Sequence, residues 1–141
     1  MIQLTYRAIP VEEIQRKFFH PCCGALVTFL GVVRNHHRGK AVSYLFYEAY
    51  ELFAKKRLTQ LRQDMLDSFA IEDMAIVHRL GRVEIGEVSL LVVVSAPHRK
   101  AALEVVDGVI DEIKRSVPIW KKEFYEDGTA QWSECEHLSG G

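Results

Sequence analysis

The chain lacks a disulfide framework. It has three cysteines; Cys22 and Cys23 are adjacent, which disfavours a bond between them, and Cys135 stands alone near the end. An odd count with no signal peptide fits a reducing compartment, so the expected location is cytoplasmic. Charge of one sign is also missing. The net charge is -1, which removes the overall basic character of a nucleic-acid binder, so any anion site must arise from local clustering. No apolar run reaches the length of a membrane span. The N-terminus alternates like a strand and carries acids by residue 12, unlike a transit peptide. The histidines are adjacent or dispersed, and no Cys/His/Asp cluster has site spacing. No bound metal and no cofactor is expected. Internal repeats and low-complexity segments are absent too.

What remains is an ordinary globular composition, 48% hydrophobic and 26% charged, over a length of 141 residues that suits one domain with its own core. That domain is expected over residues 1–133, with a polar, frayed tail over 134–141. Ile2 to Ala8 alternates as a short strand, and Pro10 opens a helix reaching Phe18 or Phe19. Gly24 to Val33 is nearly continuous apolar and reads as a central strand, in which Gly31 permits a bulge or a close backbone approach. Cys22 and Cys23 precede that strand as packing residues. Val42 to Ala49 is an aromatic-rich strand. Tyr50 to Phe69 is a helix whose apolar face holds Phe53 or Ala54, then Leu58, Leu61, Met65 and Phe69, with Lys55, Lys56, Arg57, Arg62 and Asp64 mostly outward. Ile71 to Arg79 and Glu87 to Ala96 are further strands, separated by a tight connection or short twisted strand at 81–86. A helix then runs from His98 to Pro118, and Asp127-Gly128 turns a small hairpin. Helices and strands mix without a regular βαβ rhythm, which argues α+β, one mixed sheet with helices packed against it.

Three stretches carry charge in a suggestive setting. Arg34 to Lys40, R-N-H-H-R-G-K, leaves a buried strand directly; it is either a solvated hairpin-like connection or a cup for a phosphate or carboxylate. His98-Arg99-Lys100 places cations at a helix start, against the helix dipole, a mismatch that a bound anion would repair. Ile110 to Glu123, I-D-E-I-K-R-S-V-P-I-W-K-K-E, sets Lys114 on the last turn of the long helix and Lys121 just after Pro118-Ile119-Trp120. A cation cluster at a helix C-terminus is the plain reading. The apolar residues around Lys114 and Lys121 would instead hold both at a pocket wall.

These stretches, taken with G-A-L-V-T-F-L-G-V-V-R-N at Gly24 to Asn35, L-F-Y-E-A-Y at Leu45 to Tyr50, H-R-L-G-R-V-E-I-G-E at His78 to Glu87 and S-A-P-H-R-K-A-A at Ser95 to Ala102, give the chain a family likeness. It resembles the large, catalytic subunit of molybdopterin synthase. The resemblance runs in family order over most of residues 24–123. It implies an α/β hammerhead-like mixed sheet packed with helices, plus a small antiparallel β subdomain. It also implies an enzyme that moves sulfur from the C-terminal Gly-Gly thiocarboxylate of a small ubiquitin-like subunit to cyclic pyranopterin monophosphate, forming the dithiolene of molybdopterin. Lys121 and Lys114 match the family's catalytic lysines, and Arg34, His98 and Arg99, with Lys121, match its substrate-binding set. The partners implied are a second large subunit in a homodimer, a small subunit at each end of a heterotetramer, and the pterin phosphate, with no nucleic acid and no membrane. The alternative is a non-catalytic adaptor that binds a ubiquitin-like Gly-Gly tail; a phosphometabolite-binding module is a third option. The chain itself ends in Gly140-Gly141, the ending expected of the partner.

Overall fold

The apolar run near residue 90 becomes an inner strand of a four-stranded sheet, with every residue from Ser89 to Ala96 buried. The structure, a computed structural model, describes residues 1–133. The expectations placed on Cys135, on the tail 134–141 and on Gly140-Gly141 lie outside the described residues. In chain order the elements are β1 (Ile2–Thr5), α1 (Val11–Arg16), β2 (Ala25–Val32), β3 (His36–His37), β4 (Lys40–Ala49), α2 (Glu51–Ser68), β5 (Asp73–Arg79), β6 (Gly81–Glu84), β7 (Val88–Ala96), α3 (Arg99–Ser116), β8 (Ile119–Tyr125) and β9 (Ala130–Trp132).

The first sheet runs β1-β5-β7-β2, with β1 parallel to β5 and the other pairs antiparallel. Its inner strands are covered on both faces, which is why they read as continuous apolar runs rather than alternating ones. On one face Met74, Ile76, Val92 and Val94 pack with Leu58 and Leu61 of α2 and with Val105, Val109 and Ile113 of α3. The residues between them, Ala75, Val77, Leu91 and Val93, point the other way and meet Ile9, Ile14 and Phe18 around α1. The second sheet runs β3-β4-β8-β9, antiparallel, with β6 also pairing β4. It has a small core of its own, made of Val33, Val42, Leu45, Val83 and Tyr125. The result is the expected α+β fold: a mixed sheet packed with helices and a small antiparallel β subdomain.

Glycine appears where a side chain would not fit. The β2–β7 register shifts between Gly31 and Val32, and a Cβ on Gly31 would lie 3.3 Å from Leu90 Cβ. A Cβ on Gly24 would lie 2.9 Å from the Pro97 carbonyl oxygen, which already accepts the Gly24 N–H.

Several sequence expectations are corrected. β1 stops at Thr5 and α1 at Arg16, both earlier than their patterns suggested. In α2 it is Ala54 that is fully buried, while Phe53 is exposed. Arg57 and Arg62 are not outward. Arg57 donates to Ser116 Oγ and Glu112 of α3, and Arg62 donates to the Met74 carbonyl and to Asp73 of β5. Their long stems let guanidinium groups reach across element boundaries that helical periodicity does not see. Cys22 is exposed and Cys23 only half-buried, because both lie in the turn before β2 rather than in the strand. Trp120, beside Lys121, is half-buried. The strand before the Asp127-Gly128 turn has seven residues and begins at Ile119, directly after Pro118.

Candidate active site

The end of α3 decides where the charged residues go. Ile113 and Val117, four apart, are both buried, so the last turn of the helix cannot rotate. Pro118 pushes Val117 into an extended conformation, φ -92 and ψ 126. The Val117 N–H still donates to the Ile113 carbonyl, the Ile119 N–H donates to the Val117 carbonyl, and the Pro118 carbonyl accepts the Tyr50 N–H. The chain thus turns sharply and returns as β8 along β4. In that pairing Lys121 stands opposite Tyr47 and Lys122 opposite Phe46. Strand alternation sends the two lysines to opposite faces. Lys122 Nζ lies 5.3 Å from the Phe124 ring centroid and 5.6 Å from that of Trp132.

On the Lys121 face is a cavity of about 500 Å³. Arg34 from the segment after β2, Lys114 from the last turn of α3 and Lys121 from β8 all line it. Phe29, Tyr47 and Trp120 give it aromatic walls, and Ile110, one helical turn before Lys114, gives an aliphatic one. The cavity lies where β2 bulges at Gly31, and the missing side chain opens its wall. His78, Ser89 and Tyr47 are the more deeply placed polar residues. Ser89 Oγ donates to the Gly31 carbonyl at 3.2 Å. Burial pushes the Tyr47 phenol pKa up. His78 is 6% exposed, and its Nδ1 lies 2.8 Å from the Arg79 carbonyl oxygen. Burial lowers its pKa to about 4, against the opposing pull of that carbonyl.

Beside the cavity Glu123 is buried on the same strand as Lys121. It accepts from Tyr125 Oη at 2.5 Å and from Ser133 Oγ at 2.6 Å, with His37 Nε2 at 3.6 Å. Burial would raise the Glu123 pKa. The hydrogen bonds from Ser133 and Tyr125, with the charges of His37 and Lys121, outweigh that and hold it below the usual carboxylate value. The Ser133 N–H also donates to the Lys121 carbonyl, which ties the end of β9 to the lysine strand.

The basic loop at 34–40 does not act as one cup. Arg38 and Gly39 both have positive φ, 50 and 78, and turn a tight hairpin between β3 and β4. Lys40 then pairs with Asp127 and His37 faces Glu123, which leaves Arg34 at the larger cavity. His98 and Arg99 lie at the opposite end of α3. Arg99 and Lys114 are separated by about 22 Å of helix at ~1.5 Å per residue. Both His98 and Arg99 are exposed, the first turn carries no acid, and no side chain caps it. Within one chain, therefore, the structure brings together Arg34, Lys114 and Lys121 and sets His98 and Arg99 apart. The sequence reading missed His78, Tyr47, Ser89 and Glu123. The available signal was a histidine inside an otherwise apolar strand, and a carboxylate in register with the inward face of β8.

Among the described residues no group of three or more His, Cys, Asp or Glu could hold a metal ion, and no helix is long and apolar enough to cross a membrane.

Fold and site define a mixed α+β protein with a concave, aromatic-walled pocket whose rim is cationic. Comparison with known proteins makes the class specific. The family model described as MoaE protein matches residues 4–116. Molybdopterin synthase catalytic subunit 1 of Aedes aegypti is 42% identical over 141 residues, covering 98% of this chain and 91% of the relative. The molybdopterin synthase catalytic subunit of Dictyostelium discoideum is 49% identical over 117 residues, covering 80% and 74%. Among solved structures, molybdopterin synthase from Staphylococcus aureus superposes with a TM-score of 0.87 at 36% identity, over 93% of this chain and 95% of that one. A protein–protein complex of subunits 1 and 2 of molybdopterin-converting factor from Helicobacter pylori superposes with a TM-score of 0.79 at 25% identity, over 94% and 90%. The chain belongs to the MoaE family, the catalytic subunits of molybdopterin synthase.

Proposed function

We propose that the chain transfers sulfur from the C-terminal thiocarboxylate of a small ubiquitin-like subunit to cyclic pyranopterin monophosphate, building the dithiolene of molybdopterin. The observation that carries this reading is the convergence of Arg34, Lys114 and Lys121, from three separate elements, on one aromatic-walled cavity. Both reactants are anions, so a cationic rim concentrates and orients them. The thiocarboxylate sulfur attacks a pterin side-chain carbon; a C–S bond forms and a C–O bond breaks. The departing oxygen takes a proton, which Lys121 supplies, with Lys114 stabilising the charge that develops. Water then hydrolyses the acyl–sulfur bond, leaving the sulfur on the pterin and a carboxylate on the carrier. A second carrier repeats the sequence at the neighbouring carbon.

Arg34 binds the substrate phosphate. His98 and Arg99 belong to the same anion-binding set in this reading, and a rigid 18-residue helix keeps them from the cavity of their own chain. A second copy of the chain in a homodimer supplies them, and small subunits complete the heterotetramer.

The adaptor reading requires only an apolar slot. An open groove of about 320 Å³ lies beside Ala49, Tyr50, Trp120 and Trp132, with Glu48 on its wall. It does not account for two lysines and an arginine on the neighbouring wall. Incubating the pure protein with thiocarboxylated small subunit and the pterin precursor separates the two. Dithiolene product is expected; a folded sample that binds the small subunit and yields none supports the adaptor.

A further inference from the structure

The cavity is lined by a polar side chain, His78, that sulfur transfer as described leaves unused. His78 comes from β5 and is paired on both sides, with Leu4 of β1 and Leu90 of β7, so its backbone is locked. The Tyr47 ring meets its imidazole edge-on at 4.9 Å between centroids. A carbonyl can only accept, so the contact with the Arg79 carbonyl places the ring proton on Nδ1. Nε2 is then a bare lone pair on the other side of the ring. Among the described residues no hydrogen bond reaches it, although the residue is 6% exposed and lines the cavity. The three cations at the rim offer donors only. A bicyclic pterin carries ring and amino N–H groups as well as a phosphate, and those donors need an acceptor.

We propose that His78 is the neutral hydrogen-bond acceptor that reads an N–H of the bound heterocycle, orienting its flat body while the cations hold the phosphate. This rests on the reading that the cavity takes a pyranopterin. His78 is thus a specificity residue, distinct in role from Lys114 and Lys121. Its burial keeps the imidazole uncharged at neutral pH, so the lone pair stays available and adds no further positive charge to a site that already holds three. The buried, unpartnered side-chain atoms among the described residues are Arg79 Nε and Ser95 Oγ, so the unpaired His78 Nε2 is open to the cavity, where a ligand N–H can reach it.

The test uses the intact chain with the cyclic pyranopterin monophosphate as probe. With 15N-labelled histidine, the Nε2 resonance of His78 starts in the unprotonated range and is expected to move upfield on adding the pterin, as an accepting nitrogen does. A Trp120 indole signal that responds while His78 Nε2 stays still overturns this inference and leaves the cavity assignment standing. A protein in which nothing responds, and which binds no pterin, overturns both. The variants His78→Leu and His78→Gln extend the test. His78→Leu is expected to weaken pterin affinity about tenfold, the scale of one buried hydrogen bond. His78→Gln, whose side-chain carbonyl can accept, is expected to recover part of it. Equal affinities in all three folded proteins overturn the assignment.

Discussion

At the scale of single residues, the two neighbouring lysines of β8 are the sharpest comparison. Lys121→Ala should leave folding and small-subunit binding intact and lower turnover roughly 100-fold or more, the effect of losing one positioned proton donor. Lys122→Ala should cost little, because strand alternation turns that side chain to the opposite face. Single-turnover product formation measures both. Equal losses from the two would reduce the site to a general basic patch. His78 makes a second prediction, about acid stability. Its folded pKa, about 4, lies below the unfolded value near 6.5. The unfolded chain therefore binds a proton at higher pH than the folded one. Stability is intact above about pH 6.5 and falls as the pH drops towards 4, by roughly 3 kcal/mol in all. The lowered carboxylates Asp73, Glu87 and Glu123 act further down, since their folded values lie below the usual carboxylate range. Urea midpoints measured from pH 7 to 4.5 should decline in the wild type and more shallowly in His78→Gln. Parallel declines would remove His78 from the acid response.

At the scale of elements, the seam between the start of β2 and the end of β7 controls how α3 begins. The Gly24 N–H donates to the Pro97 carbonyl, one residue before the His98 cap. A Cβ at position 24 would meet that carbonyl oxygen at 2.9 Å, backbone against side chain with no rotamer to yield. Gly24→Ala should cost about 1–3 kcal/mol, the usual penalty for overpacking, read as a lower denaturation midpoint with an unchanged m-value. An unaltered midpoint would mean that the seam can open without strain. The far end of α3 behaves differently. Lys114 depends on the rotation set by Ile113 and Val117, and Lys121 depends on the β4–β8 register; both are long-range constraints.

At the scale of the whole molecule, the proposed sulfur transfer makes assembly testable, because α3 separates His98 and Arg99 from Lys114. If a second copy supplies His98 and Arg99, neither Lys121→Ala nor Arg99→Ala homodimers hold a complete site. Mixing the two after subunit exchange should create dimers with one intact site and restore a measurable fraction of activity. A mixture as inactive as its components would refute supply from a second copy. Sedimentation of the isolated chain is expected to show a dimer at micromolar concentration, and a monomer there would count against the proposal as well.

Local pattern was enough to announce much of this protein. The apolar runs of β2 and β7, the stripe that seats α3, the glycine at the β2 bulge, the Asp127-Gly128 turn and the position of Lys114 at a helix end all follow from short-range sterics and periodicity. Only the tertiary structure decided which charges meet. Lys121 faces the cavity and Lys122 does not because β8 pairs with β4 in one register, and a slip of one residue would exchange them. Arg34 leaves the basic loop to join them because the hairpin at Arg38-Gly39 turns the other cations away. His78 becomes a neutral acceptor because the strands on either side and the Tyr47 ring bury it, and desolvation depends on neighbours distant in sequence. His98 and Arg99 look like members of the same set in one dimension. The length of α3 between Arg99 and Lys114 holds them apart in three.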